Sequence, residues 1–308
     1  MRTRSALTVA VVAATTLALG ACTSASQNPS GGNGAAGSGS PSAASFDPST
    51  ITKDATIAAL VPASVAADGK LTIGSDLTYA PAEFVGPDGK TPVGYDVEIA
   101  TAIAHLMGLQ PDIVSSTFDA IIPGIGTRYE IGISSFTVTP ERLKTVSMVS
   151  YFNAGSQFAV AKGNPDKVDV NNLCGLTVGV QTGTTQQAEL ETAKTKCPAG
   201  KALTVLPFDN QATVTTNLVG GKVQAMYADS PVTAYAVGQT NGKLETLGPI
   251  RDAAPEAVVV PKNDDAMAKA VQAALQKLMD DGTLKQILSA WGNEQGALTK
   301  AEINPQVG

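Results

Sequence analysis

The chain has 308 residues, 43 % of them hydrophobic and 16 % charged, and carries a formal net charge of −6 at pH 7. That balance suits a folded core and excludes a nucleic-acid partner, whose phosphates need a basic face, as well as electrostatic adhesion to an anionic membrane. A single histidine, His105, and three cysteines give no cluster at zinc-ligand spacing and no Ser-His-Asp or Cys-His triad, so neither a metal nor a cofactor is expected.

Arg2 and Arg4 precede an apolar segment from Ala6 to Ala21. It is too short to span a bilayer and fits the apolar region of a secretory signal peptide, which assigns residues 1–21 to that signal. Leu19-Gly20-Ala21-Cys22 resembles the lipobox of bacterial lipoproteins, in which cleavage falls before the cysteine and the thiol takes a diacylglyceryl group. An ordinary signal with a chance cysteine is the alternative. Thr23 to Ser45 is nearly all Ser, Gly, Ala, Asn and Pro, without charge or aromatic residues, and cannot bury a core. Residues 22–45 are therefore expected to be a disordered, lipid-anchored tether with a reach of about 25 Å. With Cys22 taking lipid, Cys174 and Cys197 remain as a pair in an exported protein, where disulfides persist; two free thiols are the alternative.

Leu71 to Asp76 alternates and reads as a strand ending near Asp76; Tyr79-Ala80-Pro81 continues as a loop, and Gly86-Pro87-Asp88-Gly89 marks a turn. After Val93-Gly94 the pattern predicts a helix capped by Asp96, with Ile99, Ile103, Leu106 and Met107 as its apolar stripe and Gly108 as its stop. Pro111 to Val114 reads as a strand and Phe118 to about Ile125 as a short helix. This alternation predicts a sheet with right-handed crossovers, in which ligands sit beyond the carboxyl ends of the strands.

Ser134, Ser135 and Thr137 follow the apolar run from Tyr129 to Ile133, which reads as a buried strand. Thr139-Pro140-Glu141 looks like a helix start, placing Arg142 in a first turn where the helix dipole disfavours a cation. A guanidinium there, beside free N–H groups and hydroxyls, suits a bound carboxylate. A plain strand–loop–helix connection with a solvated arginine is the other reading.

A second unit repeats the grammar. Leu176 to Val180 is a strand, Gln181 to Thr185 a hydroxyl-rich loop, Gln186 onward a helix, Leu203 to Leu206 a strand, and Val214 to Leu218 part of a helix. Val223 to Tyr227 is a strand ending at Ala228-Asp229-Ser230. Ala257 to Val260 is a strand stopped by Pro261, and Met267 to Leu278 marks a long helix interrupted at Asp281-Gly282 before Thr283 to Trp291.

From about Leu71 to Trp291 the chain resembles the polar amino-acid solute-binding proteins of ABC importers. The resemblance is carried, in family order, by Leu71 to Pro81, Gly94 to Ala100, Ile122-Pro123-Gly124, Ser134 to Arg142, Gly183-Thr184-Thr185, Asp229, Asp281-Gly282-Thr283 and Trp291-Gly292. It implies an α/β, two-lobed periplasmic-binding-protein fold of type II (Venus-flytrap) with two hinge-crossing segments. Residues 46–153 and 251–308 would form lobe 1 and residues 154–250 lobe 2, with crossings near Ala154–Ser156 and Leu247–Ile250. By the same resemblance Arg142 grips an α-carboxylate, helped by N–H groups of Thr137 and Thr185. Asp229 takes the α-ammonium with Ser134 and Thr137; Phe118 and Tyr79 wall the pocket; Asp76 meets the ligand's polar side chain. Ser135 joins the same edge.

The implied protein is an extracytoplasmic, membrane-anchored monomer. It would hand a polar amino acid to an ABC-importer permease, the side chain donating hydrogen bonds to Asp76. Ala82, before Glu83-Phe84, departs from the family's habit of an aromatic near that position, and Glu130 stands where aspartate is common. Both departures bear on side-chain specificity. The alternative from another class is a dehydratase acting on prephenate or arogenate on the same fold, with Asp76 or Glu83 as its acid.

Overall fold

The computed structural model describes residues 46–307. Apolar runs stopped by glycine, proline or a short polar turn form its strands, and the amphipathic stretches between them form its helices. In the first third, α1 (Ala55–Ala58) and α2 (Ala63–Ala66) lead into β1 (Lys70–Ser75). A three-stranded antiparallel flap follows, β2 (Thr78–Tyr79), β3 (Glu83–Val85) and β4 (Pro92–Val93). Then come α3 (Tyr95–Met107), β5 (Gln110–Ser115), α4 (Phe118–Gly124), β6 (Ile131–Thr137) and the single turn α5 (Arg142–Thr145). The middle holds β7 (Val146–Ala161), β8 (Thr177–Gln181), α6 (Thr185–Lys194), β9 (Thr204–Phe208), α7 (Gln211–Val219), β10 (Ala225–Asp229) and α8 (Ser230–Gln239). The chain returns through β11 (Leu244–Pro261), α9 (Asp265–Asp280) and α10 (Thr283–Ala290).

The large sheet runs β5-β1-β6-β11-β7-β10-β8-β9. β1 is parallel to β5 and β6 at one end, and β8 is parallel to β9 and β10 at the other. β7 and β11, antiparallel to each other, run through both ends. Among the described residues the buried apolar side chains form four clusters, two of them around the two ends of the sheet. One gathers Leu71, Ile73, Ile99, Ile103, Val271 and Leu275; the other gathers Val160, Val178, Val180, Leu190 and Tyr227.

Patterning does not single out β7, because both its faces are covered and its sequence lacks a clean alternation. Ala154–Ser156 falls inside β7, and Leu247–Ile250 falls where β11 slips register against it, between Leu247 and Arg251 and again between Arg251 and Ala254. The two strands crowd together there: a Cβ on Gly155 would lie 2.4 Å from the Arg251 carbonyl oxygen.

Two helix starts differ from the sequence expectation. Asp96 does not cap α3, whose N-cap is Gly94. Its buried carboxylate instead accepts the Ser135 N–H at 2.8 Å and the Tyr151 hydroxyl at 2.5 Å. Near Arg142 the capping chemistry is present but the helix is one turn: Thr139 Oγ1 accepts the Arg142 N–H at 3.1 Å, and α5 spans only Arg142–Thr145.

Candidate functional site

Arg142 opens α5, and the preceding strand aims its guanidinium across the gap between the two ends of the sheet. One Nη donates to the Thr137 carbonyl at 2.7 Å; the other reaches the Gly183 carbonyl at 3.3 Å. The guanidinium carbon lies 5.3 Å from the Phe118 ring centre and 5.5 Å from that of Phe136, and the two rings stack on each other. These ring faces supply a cation–π surface that holds the group in place. Burial lowers the Arg142 pKa to about 10, against the pull of Asp229, Glu256 and Tyr79, so it stays charged at neutral pH.

Asp229 ends β10, in the other half of the large sheet. It sits at the N-cap of α8 but makes no side-chain capping bond. Its oxygens instead accept from the Tyr79 hydroxyl and from the Gln186 amide, both at 2.8 Å. Burial raises its pKa to about 6; the Tyr79 and Gln186 hydrogen bonds and Arg142 hold it from rising further. A small cavity separates the two charges, lined by Tyr79, Phe118, Ser135, Thr137, Arg142, Thr184, Thr185, Gln186 and Asp229. Seven of the nine residues expected from sequence are thus brought together.

Asp76 and Ser134 do not line this cavity. Asp76 accepts from the Thr78 hydroxyl at 2.7 Å, the Phe118 N–H at 3.1 Å and the Gln181 amide at 2.6 Å. Ser134 Oγ turns into the lobe, donating to Glu83 at 2.6 Å and accepting the Asp76 N–H at 3.1 Å. Ser135 has a positive φ of 49°, an uncommon backbone conformation held by the bond from its N–H to the Asp96 carboxylate.

Sequence reasoning missed Gln181, Thr184 and Gln186, although all three lie within the hydroxyl-rich loop or at its exit. Their amides and hydroxyls were legible as polar groups at a strand end; their partners were not. Gln186 also donates to Ser156 at 2.8 Å, tying α6 to β7.

The Tyr79–Asp229, Asp76–Gln181 and Arg142–Gly183 bonds all join the two ends of the large sheet across the cavity. Cys174 and Cys197 form a disulfide with Cα atoms 5.4 Å apart, pinning the C-terminal end of α6. A wider hollow of about 470 Å³ lies beside this disulfide, away from both clamp charges. Among the described residues no group of three or more His, Cys, Asp or Glu is arranged to hold a metal, and no helix is long and apolar enough to cross a membrane.

Residues 71–294 match the family described as bacterial extracellular solute-binding proteins, family 3. The chain belongs to that family. An arginine-binding protein of Corynebacterium glutamicum is 34 % identical over 255 residues, covering 81 % of this chain and 83 % of the relative. An ancestral arginine-binding protein solved with arginine superposes with a TM-score of 0.68 at 30 % identity, over 73 % of this chain and 98 % of that one. An ancestral amino-acid-binding protein described as a precursor of cyclohexadienyl dehydratase has a TM-score of 0.67 at 29 % identity, over 74 % and 97 %. The fold is the two-lobed type II periplasmic-binding arrangement.

Proposed function

We propose that this solute-binding protein captures a polar L-amino acid between its lobes and delivers it to an ABC-importer permease. The observation that carries the reading is the convergence of Arg142 and Asp229, one from each lobe, on a single cavity. A zwitterion between them pairs both of its charges in a site where an unpaired charge is strongly unfavourable. Arg142 holds the α-carboxylate with N–H groups of Thr137 and Thr185. Asp229 holds the α-ammonium, with Thr137 beside it, while Tyr79 and Phe118 wall the pocket.

Arg142 and Asp229 balance each other in the cavity lining, and Asp76, bonded to the Phe118 N–H behind the wall, adds a carboxyl that favours a side chain that donates hydrogen bonds. Arginine and lysine come first, glutamine and asparagine next, and acidic amino acids last. The arginine-binding names of the similar proteins support this order. Asp76 enters the scheme by exchange: the Gln181 amide that now donates to it is replaced by the ligand's own donor. Ser134 contributes from behind, by fixing the Asp76 backbone. The dehydratase alternative has weaker support, because the similar structure that bears on it is itself a binding protein.

The division expected from sequence is retained, with residues 46–153 and 251–308 closing on residues 154–250. Cys22 and the signal and tether around it lie outside the described residues. Lipidation of Cys22, anchoring to the outer face of the cell membrane and a monomeric state belong to the proposal and rest on the lipobox and the composition. A thermal-shift screen against the twenty amino acids tests the ligand: a basic or amide amino acid should raise the melting temperature, since it binds only the native state. No shift with any of them would refute amino-acid capture. Cys22→Ala should move the protein from the membrane fraction to the medium; continued membrane association would refute lipid anchoring.

A further inference from the structure

Five carboxyl groups are sealed beneath and beside the clamp. Glu83 on β3 and Asp96 on α3 are each 0 % exposed, Asp76 after β1 and Glu256 on β11 are 1 %, and Asp229 at the end of β10 is 6 % exposed. Glu83 accepts from Ser134, Asp96 from Ser135 and Tyr151, and Asp229 from Tyr79 and Gln186. Glu256 differs. Among the described residues neither of its carboxyl oxygens has a hydrogen-bond partner, whereas Glu83 lacks one on a single oxygen. Its backbone register sets it opposite the cavity-lining Thr137 on β6 and opposite Phe152 on β7.

The charged and polar groups that face Glu256 come from every element packed around it. They are Asp229 from β10, Asp96 from α3, the Ser135 hydroxyl from β6 and Arg142 from α5. The charge of Glu256 bears in turn on the buried hydroxyls of Tyr79, Tyr95 and Tyr151. One cation therefore serves several acids, and the Ser135 hydroxyl beside Glu256 donates to Asp96, at 3.3 Å. A carboxylate in such a place neutralises by binding a proton. Asp229 belongs to the opposite lobe, so its charge comes to bear fully on Glu256 only as the lobes close.

We propose that Glu256 is a proton-binding residue of the clamp, taking up a proton from solution when the lobes close on an amino acid, so that capture is proton-linked. This rests on the binding reading above. An O–H bond forms on Glu256 during closure and the proton returns to solvent on reopening. Burial and the neighbouring Asp229 hold the Glu256 carboxyl well above the usual glutamate range, the direction this requires. Because the closed form binds more protons than the open one, affinity rises as pH falls, by at most about tenfold per pH unit for one proton. The trend reverses at acid pH, where Asp229 loses the charge that pairs with the ammonium.

The test is calorimetric titration of the purified full-length protein with L-arginine and with L-glutamine, near neutral pH, in two buffers of different ionisation enthalpy. The expected result is uptake of about one proton per amino acid bound in the wild type. Glu256→Gln should show none, with an affinity that no longer varies across neutral pH. Glu98→Gln, which alters a buried acid bonded to Trp291 away from the clamp, should keep the uptake. Binding without buffer dependence, or equal uptake in Glu256→Gln, overturns the inference while leaving amino-acid capture standing. Absence of binding with both ligands and in the thermal screen removes the capture reading and this inference with it. Infrared difference spectra of the wild type give a reading independent of how the variant folds: a protonated-carboxyl band should appear on ligand addition, and its absence counts against the proposal.

Discussion

Arg142 and Asp229 meet the same difficulty, burial of a charge, from opposite signs. Arg142 answers it with two carbonyls and two aromatic faces, Asp229 with a tyrosine hydroxyl and a glutamine amide. In the binding mode we propose, removing either charge leaves the ligand's opposite charge buried without a partner, a loss of about 3–5 kcal/mol. Asp229→Ala and Arg142→Ala should each weaken amino-acid binding by that amount, read by calorimetry, while circular dichroism shows the fold retained. Wild-type affinity in either would disprove the assignment. Both residues were legible in the sequence because Asp229 ends β10 at the start of α8 and Arg142 opens the turn that follows β6, places where strand, loop and helix signals meet. Glu256 was not: a lone acid beside Pro255 reads as a solvated strand start, and only its register against Thr137 and Phe152 places it inside.

At the level of elements, α6 and the loop before it decide how tightly the lobes can meet. Gly183 adopts φ +79°, and a Cβ there would stand 3.0 Å from the Asp119 Cβ on the other lobe. The same residue offers its carbonyl to Arg142. Overpacking of this kind costs about 1–3 kcal/mol, and under the proposed division of the chain it falls on lobe closure. Gly183→Ala should therefore weaken ligand binding by roughly tenfold, in addition to any loss of melting temperature from the backbone strain. Unchanged affinity would show that the loop has room to spare. The existence of most elements was readable from apolar periodicity and glycine or proline stops. β7 and the length of β11 were not, since strands covered on both faces lose the alternation that identifies them.

For the whole molecule, the buried acids set an unusual pH response. Burial raises Asp96 to about 6 and Glu98 to about 7, with Glu83 well above its ordinary value. Groups raised in this way bind more protons folded than unfolded. Their contribution to stability is full below the unfolded carboxyl pKa values and is lost as pH rises through the folded ones. The ligand-free melting temperature should therefore rise as pH is lowered from about 7 to about 5. A fall across that window, measured by calorimetry, would show that these carboxyls are ionised in the folded protein.

The sequence by itself determined the strand–helix grammar of both halves, the hydroxyl-rich edge beside Arg142 and the carboxylate closing β10. These follow from local periodicity, capping residues and turn residues, which act within a few positions of one another. Only the tertiary structure decided who partners whom. Tyr79 meets Asp229 across 150 positions and Gln181 meets Asp76 across 105. Side chains brought together by lobe closure share no local pattern, so their hydrogen bonds, and the burial that shifts Asp229 and Glu256, arise from packing alone.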